Sequence, residues 1–103
     1  IFRKLIRDNM PEIMKAQGAS PETRILDDVE YKKFLRLKLV EEAGETNAVK
    51  TREEMVKELG DVWEVADAIM QNEGISLEEV RVLKQKRREE RGGFEKRIFL
   101  IRG

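Results

Sequence analysis

The chain has 103 residues, enough for one domain over 1–103, and its formal net charge is zero, so no global basic field draws it to nucleic acid or an anionic membrane. Charged residues make up 41% and aromatics 6%, which predicts a lean core, charged outer helix faces and association with a second copy to complete burial. The absence of Cys and His excludes disulfides, thiolate nucleophiles, iron–sulfur clusters, Cys-ligated or HExxH zinc and the Ser-His-Asp relay. Catalysis, if present, rests on carboxylates, Lys, Arg, hydroxyls and metal-activated water. No apolar run approaches the ~18–20 residues of a membrane span, and nothing at the N-terminus reads as a signal peptide. The default expectation is a soluble, cytoplasmic protein with no membrane partner.

Residues 1–8 mix apolar and basic side chains without a period and read as an extended arm. Asn9 is placed to cap a short helix from Met10 to Gln17, with Gly18 as its stop. Ser20-Pro21 opens a loop, and Thr23–Leu26 reads as a short strand. Asp27 or Asp28 then caps a long helix over 28–49. Thr51-Arg52-Glu53-Glu54 is a capping box that starts a second long helix, 52–73, stopped by Gly74. Its apolar arc, Met55, Val56, Leu59, Val62, Trp63, Val65, Ala66, Ile69 and Met70, is wide enough to face two neighbours, one of them in another subunit. Ser76-Leu77-Glu78-Glu79 caps a third, strongly basic helix through Arg91. Phe94–Ile101 alternates loosely and reads as a strand paired with Thr23–Leu26.

The two long helices carry the chemistry. Glu42-Ala43-Gly44-Glu45 returns as Glu58-Leu59-Gly60-Asp61, symmetrically about the break at Thr51-Arg52. Folded there as an antiparallel hairpin, Glu42 comes level with Asp61 and Glu45 with Glu58. Acids at i and i+3 share a helix face, so four carboxylates converge. Such a group repels itself unless protons or a cation neutralise it, and an oxygen cage suits Mg²⁺ or Mn²⁺. Spacing alone is a weak signal in so acidic a chain. More weight comes from the helical wheel, which sets Glu42 within about 20° of Leu35, Tyr31 and Val49, on the stripe that should be buried. Asp61 lies at the edge of its helix's apolar arc and Glu58 farther out. Gly44 and Gly60 each precede a motif acid, where a missing side chain either relieves crowding between helices or leaves room for metal and water.

The basic residues allow two readings. Lys86, Arg87, Arg88 and Arg91 either grip phosphates, with Gly92-Gly93 letting the next loop close, or form a solvated helix paired with Glu89 and Glu90. Lys4 and Arg7 share that ambiguity. Trp63 and Phe94 either stack on a base or pack in a core.

Glu41-Glu42-x-x-Glu45, a gap of twelve residues, then Glu58-x-x-Asp61 resembles the signature of the all-α nucleoside triphosphate pyrophosphohydrolases, the superfamily of MazG and phosphoribosyl-ATP pyrophosphohydrolase. Lys4-Leu5-Ile6-Arg7-Asp8 with Pro11-Glu12-Ile13 resembles the opening of small MazG-related proteins, and Glu90-Arg91-Gly92-Gly93-Phe94 resembles their closing segment. The resemblance spans nearly the whole chain, although Asn9 stands where many relatives carry a basic residue. It implies a mainly α, antiparallel helical bundle of the MazG type with short extended terminal segments, completed as a homodimer or homotetramer. It also implies Mg²⁺-dependent cleavage of a nucleotide substrate between its α and β phosphorus atoms, releasing a nucleoside monophosphate and pyrophosphate, as in nucleotide-pool house-cleaning. Carried over by position, Glu42, Glu45, Glu58 and Asp61 are the metal ligands. Glu41 is a supporting acid that either orients water or touches a second metal, and Glu41 or Glu42 takes up a proton. Lys4, Arg7, Lys86, Arg87, Arg88 and Arg91 are the candidates for holding phosphate. Two rivals stand beside this reading: phosphoribosyl-ATP as the substrate, and a non-enzymatic helical module whose basic helix binds RNA or protein. Neutral net charge counts against a stable nucleic-acid partner.

Overall fold

Three of the helices begin where a side chain closes over the first free N–H groups. The structure, a computed structural model, describes residues 3–103 and holds α1 (Met10–Ala16), α2 (Asp28–Thr46), α3 (Arg52–Glu73) and α4 (Leu77–Arg91). At α2 the Asp27 carboxylate accepts from the Glu30 N–H at 2.8 Å, and the Glu30 carboxylate accepts from the Asp27 N–H at 3.4 Å, a full capping box. Ser76 and Glu79 repeat the arrangement at α4. At α3 the Thr51 hydroxyl accepts from the Glu54 N–H at 3.1 Å, but the Glu54 carboxylate reaches back one residue farther than a capping box requires, to the Lys50 N–H at 3.2 Å. Asn9 does not cap α1 with its side chain. Its backbone is already helical (φ −87°, ψ −5°), whereas a capping side chain needs an extended backbone to reach forward.

Helix ends differ modestly from expectation. α2 stops at Thr46 rather than residue 49 because its last turn tightens. The Asn47 and Ala48 N–H groups donate three residues back, to Gly44 and Glu45, and the Thr46 hydroxyl donates to the Ala43 carbonyl at 2.6 Å. α3 ends at Gly74 in the left-handed region, φ +66°, with the Ile75 N–H returning to the Met70 carbonyl at 2.9 Å. Gly74→Ala should therefore cost about 1 kcal/mol, seen as a lowered denaturation midpoint at constant slope.

The two expected strands do not form, and no strand is present among the described residues. Ile25 is 95% exposed and Phe94 is 97% exposed, so neither segment has a sheet neighbour for its backbone groups. A turn at 94–97, closed by the Arg97 N–H to the Phe94 carbonyl and followed by φ +58° at Arg97, also breaks the alternation. Of the arm expected over residues 1–8, residues 1 and 2 lie outside the described part, and residues 3–8 are irregular.

The loop before α2 is held by charge. Arg24 donates to both Glu30 oxygens, at 2.9 and 2.6 Å, and this hydrogen bonding lowers the Glu30 carboxyl to about 2. A depressed carboxyl stabilises the fold fully above its ordinary value and loses that contribution as pH falls through about 2. An NMR titration should place the Glu30 midpoint there, and Arg24→Gln should raise it.

α2 and α3 form an antiparallel hairpin and, among the described residues, are the only helices in extensive contact. Leu35 and Val65 are buried between them, with Phe34, Leu39, Val62, Ala66 and Ile69 partly covered. Arg36 pairs with Glu73 at 3.5 Å where the hairpin opens. Much apolar surface remains outside. Val56, Leu59 and Trp63 form an outward stripe on α3, while Val29, Leu37 and Val40 line a shallow groove on α2. The accessible surface is 9676 Å², against ~6,000 Å² for a compact monomer of 12.1 kDa. The radius of gyration is 17.4 Å, where about 13 Å is usual for this length. No helix among the described residues is long and apolar enough to cross a membrane.

Candidate metal centre

Toward the closed end of the hairpin its buried stripe turns acidic. On α2 the stripe runs through Tyr31, Leu35, Lys38 and Glu42; on α3 it runs through Glu58, Val62, Val65 and Ile69. Glu42 and Glu58 are each buried, with 10% of the side chain exposed. Burial of Glu42 follows the expectation; burial of Glu58 reverses it. At about 100° per residue Glu58 falls between Val65 and Ile69, inside the apolar arc of α3, and Asp61 about 40° beyond its edge. Helix geometry itself thus accounts for the buried Glu58 and the half-buried Asp61, while Val56, Leu59 and Trp63 lie on the opposite, exposed flank of the arc.

Glu42, Glu58 and Asp61 present carboxylate oxygens that all lie within 4.8 Å of one another, and so do Glu41, Glu42 and Glu45. Glu42 belongs to both groups, so the four expected ligands and the supporting acid Glu41 form two adjoining triads joined at Glu42. Glu45 is the exposed member. Lost solvation, then the neighbouring Glu58 and Glu42 carboxylates, raise its carboxyl above the usual range. Two atoms stand out: Glu42 Oε2 and Glu58 Oε2 are buried and accept no hydrogen bond. Leaving a buried carboxylate oxygen without a donor costs about 1–3 kcal/mol or more. Hard oxygens so placed fit a small divalent ion.

A ring of cations surrounds the acids. Lys4 Nζ lies 3.3 Å from Glu41 Oε1, and Arg7 donates to Asp61 Oδ1 at 2.8 Å. Both residues of the arm thus reach the site. Lys38 Nζ is 2.6 Å from Glu41 Oε2 and 3.4 Å from Glu42 Oε1; Lys57 Nζ is 3.3 Å from Glu58 Oε1 and 3.7 Å from Asp61 Oδ2. Burial pulls the Lys38 ammonium down, but the Glu41 hydrogen bond and the charges of Glu41 and Glu42 outweigh it and leave it raised. The Lys38 hydrogen bond, against some desolvation and aided by Lys4, holds Glu41 below the usual carboxylate range. Sequence reasoning missed Lys38 and Lys57. The signal was present as spacing, since Lys38 precedes Glu41 and Glu42 by three and four residues and Lys57 precedes Asp61 by four.

The basic residues of α4 are elsewhere. Lys86 pairs with Glu90 at 4.0 Å and Arg88 with Glu95 at 2.6 Å, while Arg87 and Arg91 are exposed. Among the described residues no ion pair joins these four to the acids. Trp63 and Phe94 are exposed and line neither the acids nor a core. Gly44 and Gly60 relieve no crowding within the hairpin, because a Cβ at either would meet nothing within 4 Å.

No family model matches the chain. A stretch of 50 residues is 44% identical to an uncharacterized protein of Mycolicibacterium smegmatis, covering 48% of this chain and 51% of that protein. The chain thus spans about half the length of the curated relative it matches. No solved structure matches.

Proposed function

We propose that the chain is a Mg²⁺-dependent nucleoside triphosphate pyrophosphohydrolase of the all-α superfamily, cleaving its substrate to a monophosphate and pyrophosphate. The observation that carries this reading is the pair of buried, unpartnered oxygens Glu42 Oε2 and Glu58 Oε2 beside Asp61. Glu42, Glu58 and Asp61 would hold the ion, with Glu45 available at the open side. Bound there, a divalent ion neutralises phosphate oxygens and acidifies water. Lys4 and Arg7, whose side chains are 41% and 58% exposed, exchange their carboxylate partners for phosphate oxygens. Glu41, clamped between two ammonium groups and held as a carboxylate, is a poor proton acceptor, which leaves that role to a ligand acid such as Glu45.

The test is a Mg²⁺-dependent hydrolysis screen over nucleoside triphosphates and phosphoribosyl-ATP, with products identified by mass. Monophosphate plus pyrophosphate supports the reading, and the preferred substrate separates the two branches. Diphosphate plus orthophosphate overturns the bond assignment. No turnover, with no Mg²⁺-induced rise in melting temperature, favours the helical interaction module.

The same reading has the chain assembled with further copies as a homodimer or homotetramer. Its support is the surplus of roughly 3,600 Å² over a compact monomer, together with exposed apolar side chains such as Trp63 at 62%. Light scattering should return a dimer or larger species at micromolar concentration, and Trp63→Asp should dissociate it. A monomeric parent protein would remove this part of the proposal.

A further inference from the structure

Two overlapping groups of acids raise the question of how many ions the site takes, and the lysines answer it differently for each. Resting on the divalent-metal reading above, we propose that each chain binds one divalent cation, between Glu42, Glu58 and Asp61, and that the Lys38 ammonium stands where a second would sit, between Glu41 and Glu42.

Glu42 divides its oxygens between these roles. Oε1 lies 3.4 Å from Lys38 Nζ, whereas Oε2 is buried without a donor. Glu41 has no oxygen to spare, since Oε1 faces Lys4 at 3.3 Å and Oε2 faces Lys38 at 2.6 Å. A second ion in the Glu41–Glu42–Glu45 group would have to evict Lys38, and Lys38 has little freedom to leave. Its side chain is 14% exposed and sits on the buried stripe of α2. The cations on the other group are different in kind. Lys57 is 72% exposed and Arg7 58% exposed, so both can swing into water as an ion enters. Glu58 Oε2 needs no displacement at all.

Counting Mn²⁺ on the full-length protein without nucleotide, through loss of the free aqueous ion's electron paramagnetic resonance signal, tests this directly. The parent should bind one ion per chain at saturation, and Lys38→Met should bind two. Two ions on the parent overturn the proposal, as does one ion on both proteins. No ion on the parent removes the divalent-metal reading itself, a result distinct from either. Should Lys38→Met fail to fold, Glu41→Gln serves in its place. It should still bind one ion, because Glu41 faces lysines and not the metal, and loss of that ion overturns the assignment.

Discussion

Glu42→Gln should reduce Mg²⁺-dependent turnover by at least about 100-fold while leaving the metal-free protein as stable as the parent or more so. The two effects share one cause. In the parent, the Glu42 side chain is 10% exposed with one carboxyl oxygen unserved, an arrangement that costs stability unless a cation is bound. Glutamine removes the charge and keeps the shape, so the folded chain loses a penalty and the ion loses a ligand. Lys38 retains its shorter contact to Glu41, at 2.6 Å, so it is not stranded. Thermal melts separate this from simple misfolding. Saturating the parent at about 100 times the dissociation constant should add about 2.7 kcal/mol, and each kcal/mol moves the midpoint of a domain this size by roughly 4–8 °C. The variant should show almost none of that rise. Glu58→Gln should copy it, since Glu58 has the same burial and the same unserved oxygen. Normal turnover by Glu42→Gln would sink the metal-site assignment.

The hairpin was legible because its signals are local. Asp27, Thr51 and Ser76 cap helices by contacts within three residues, and the position of Glu42 follows from the wheel of α2, which sets it beside Tyr31 and Leu35 on the face that meets α3. Burial of Glu58 was legible as well, although the expectation set it outside the apolar arc of α3, because at about 100° per residue it falls between Val65 and Ile69. What helix geometry leaves open is which flank of so wide an arc meets α2, and packing chose the Val65 flank over Val56, Leu59 and Trp63. The strands at Thr23–Leu26 and Phe94–Ile101 failed on a different count. Alternation states that a segment could serve a sheet, not that a partner strand lies beside it. In the candidate site, the acids announced themselves as a repeat, whereas Lys38 and Lys57 are two of many lysines in a chain that is 41% charged. The role of Lys38 emerges only once burial separates it, at 14% exposed, from its solvated neighbours Lys32 and Lys33, and that of Lys57 only from its contacts with Glu58 and Asp61.

That burial makes Lys38→Met the second large effect. Removing one member of a buried ion pair costs ~3–5 kcal/mol because the other charge is left uncompensated. Here Lys4 stays on Glu41, so the loss should be smaller, about 2–3 kcal/mol, read in chelator as a lower denaturation midpoint. The direction under metal is the informative part. If Lys38 does the work of a cation, a divalent ion should replace it, and the variant should gain more stability from saturating Mn²⁺ than the parent does. The difference between the two proteins should therefore shrink as the ion is added. A variant that is equally damaged with and without Mn²⁺ would mean that Lys38 supports α2 by packing its aliphatic stem, and that its charge is incidental. Lys57→Met gives the contrast: at 72% exposure its pair with Glu58 is screened by water, and the metal-free protein should change by no more than about 1 kcal/mol.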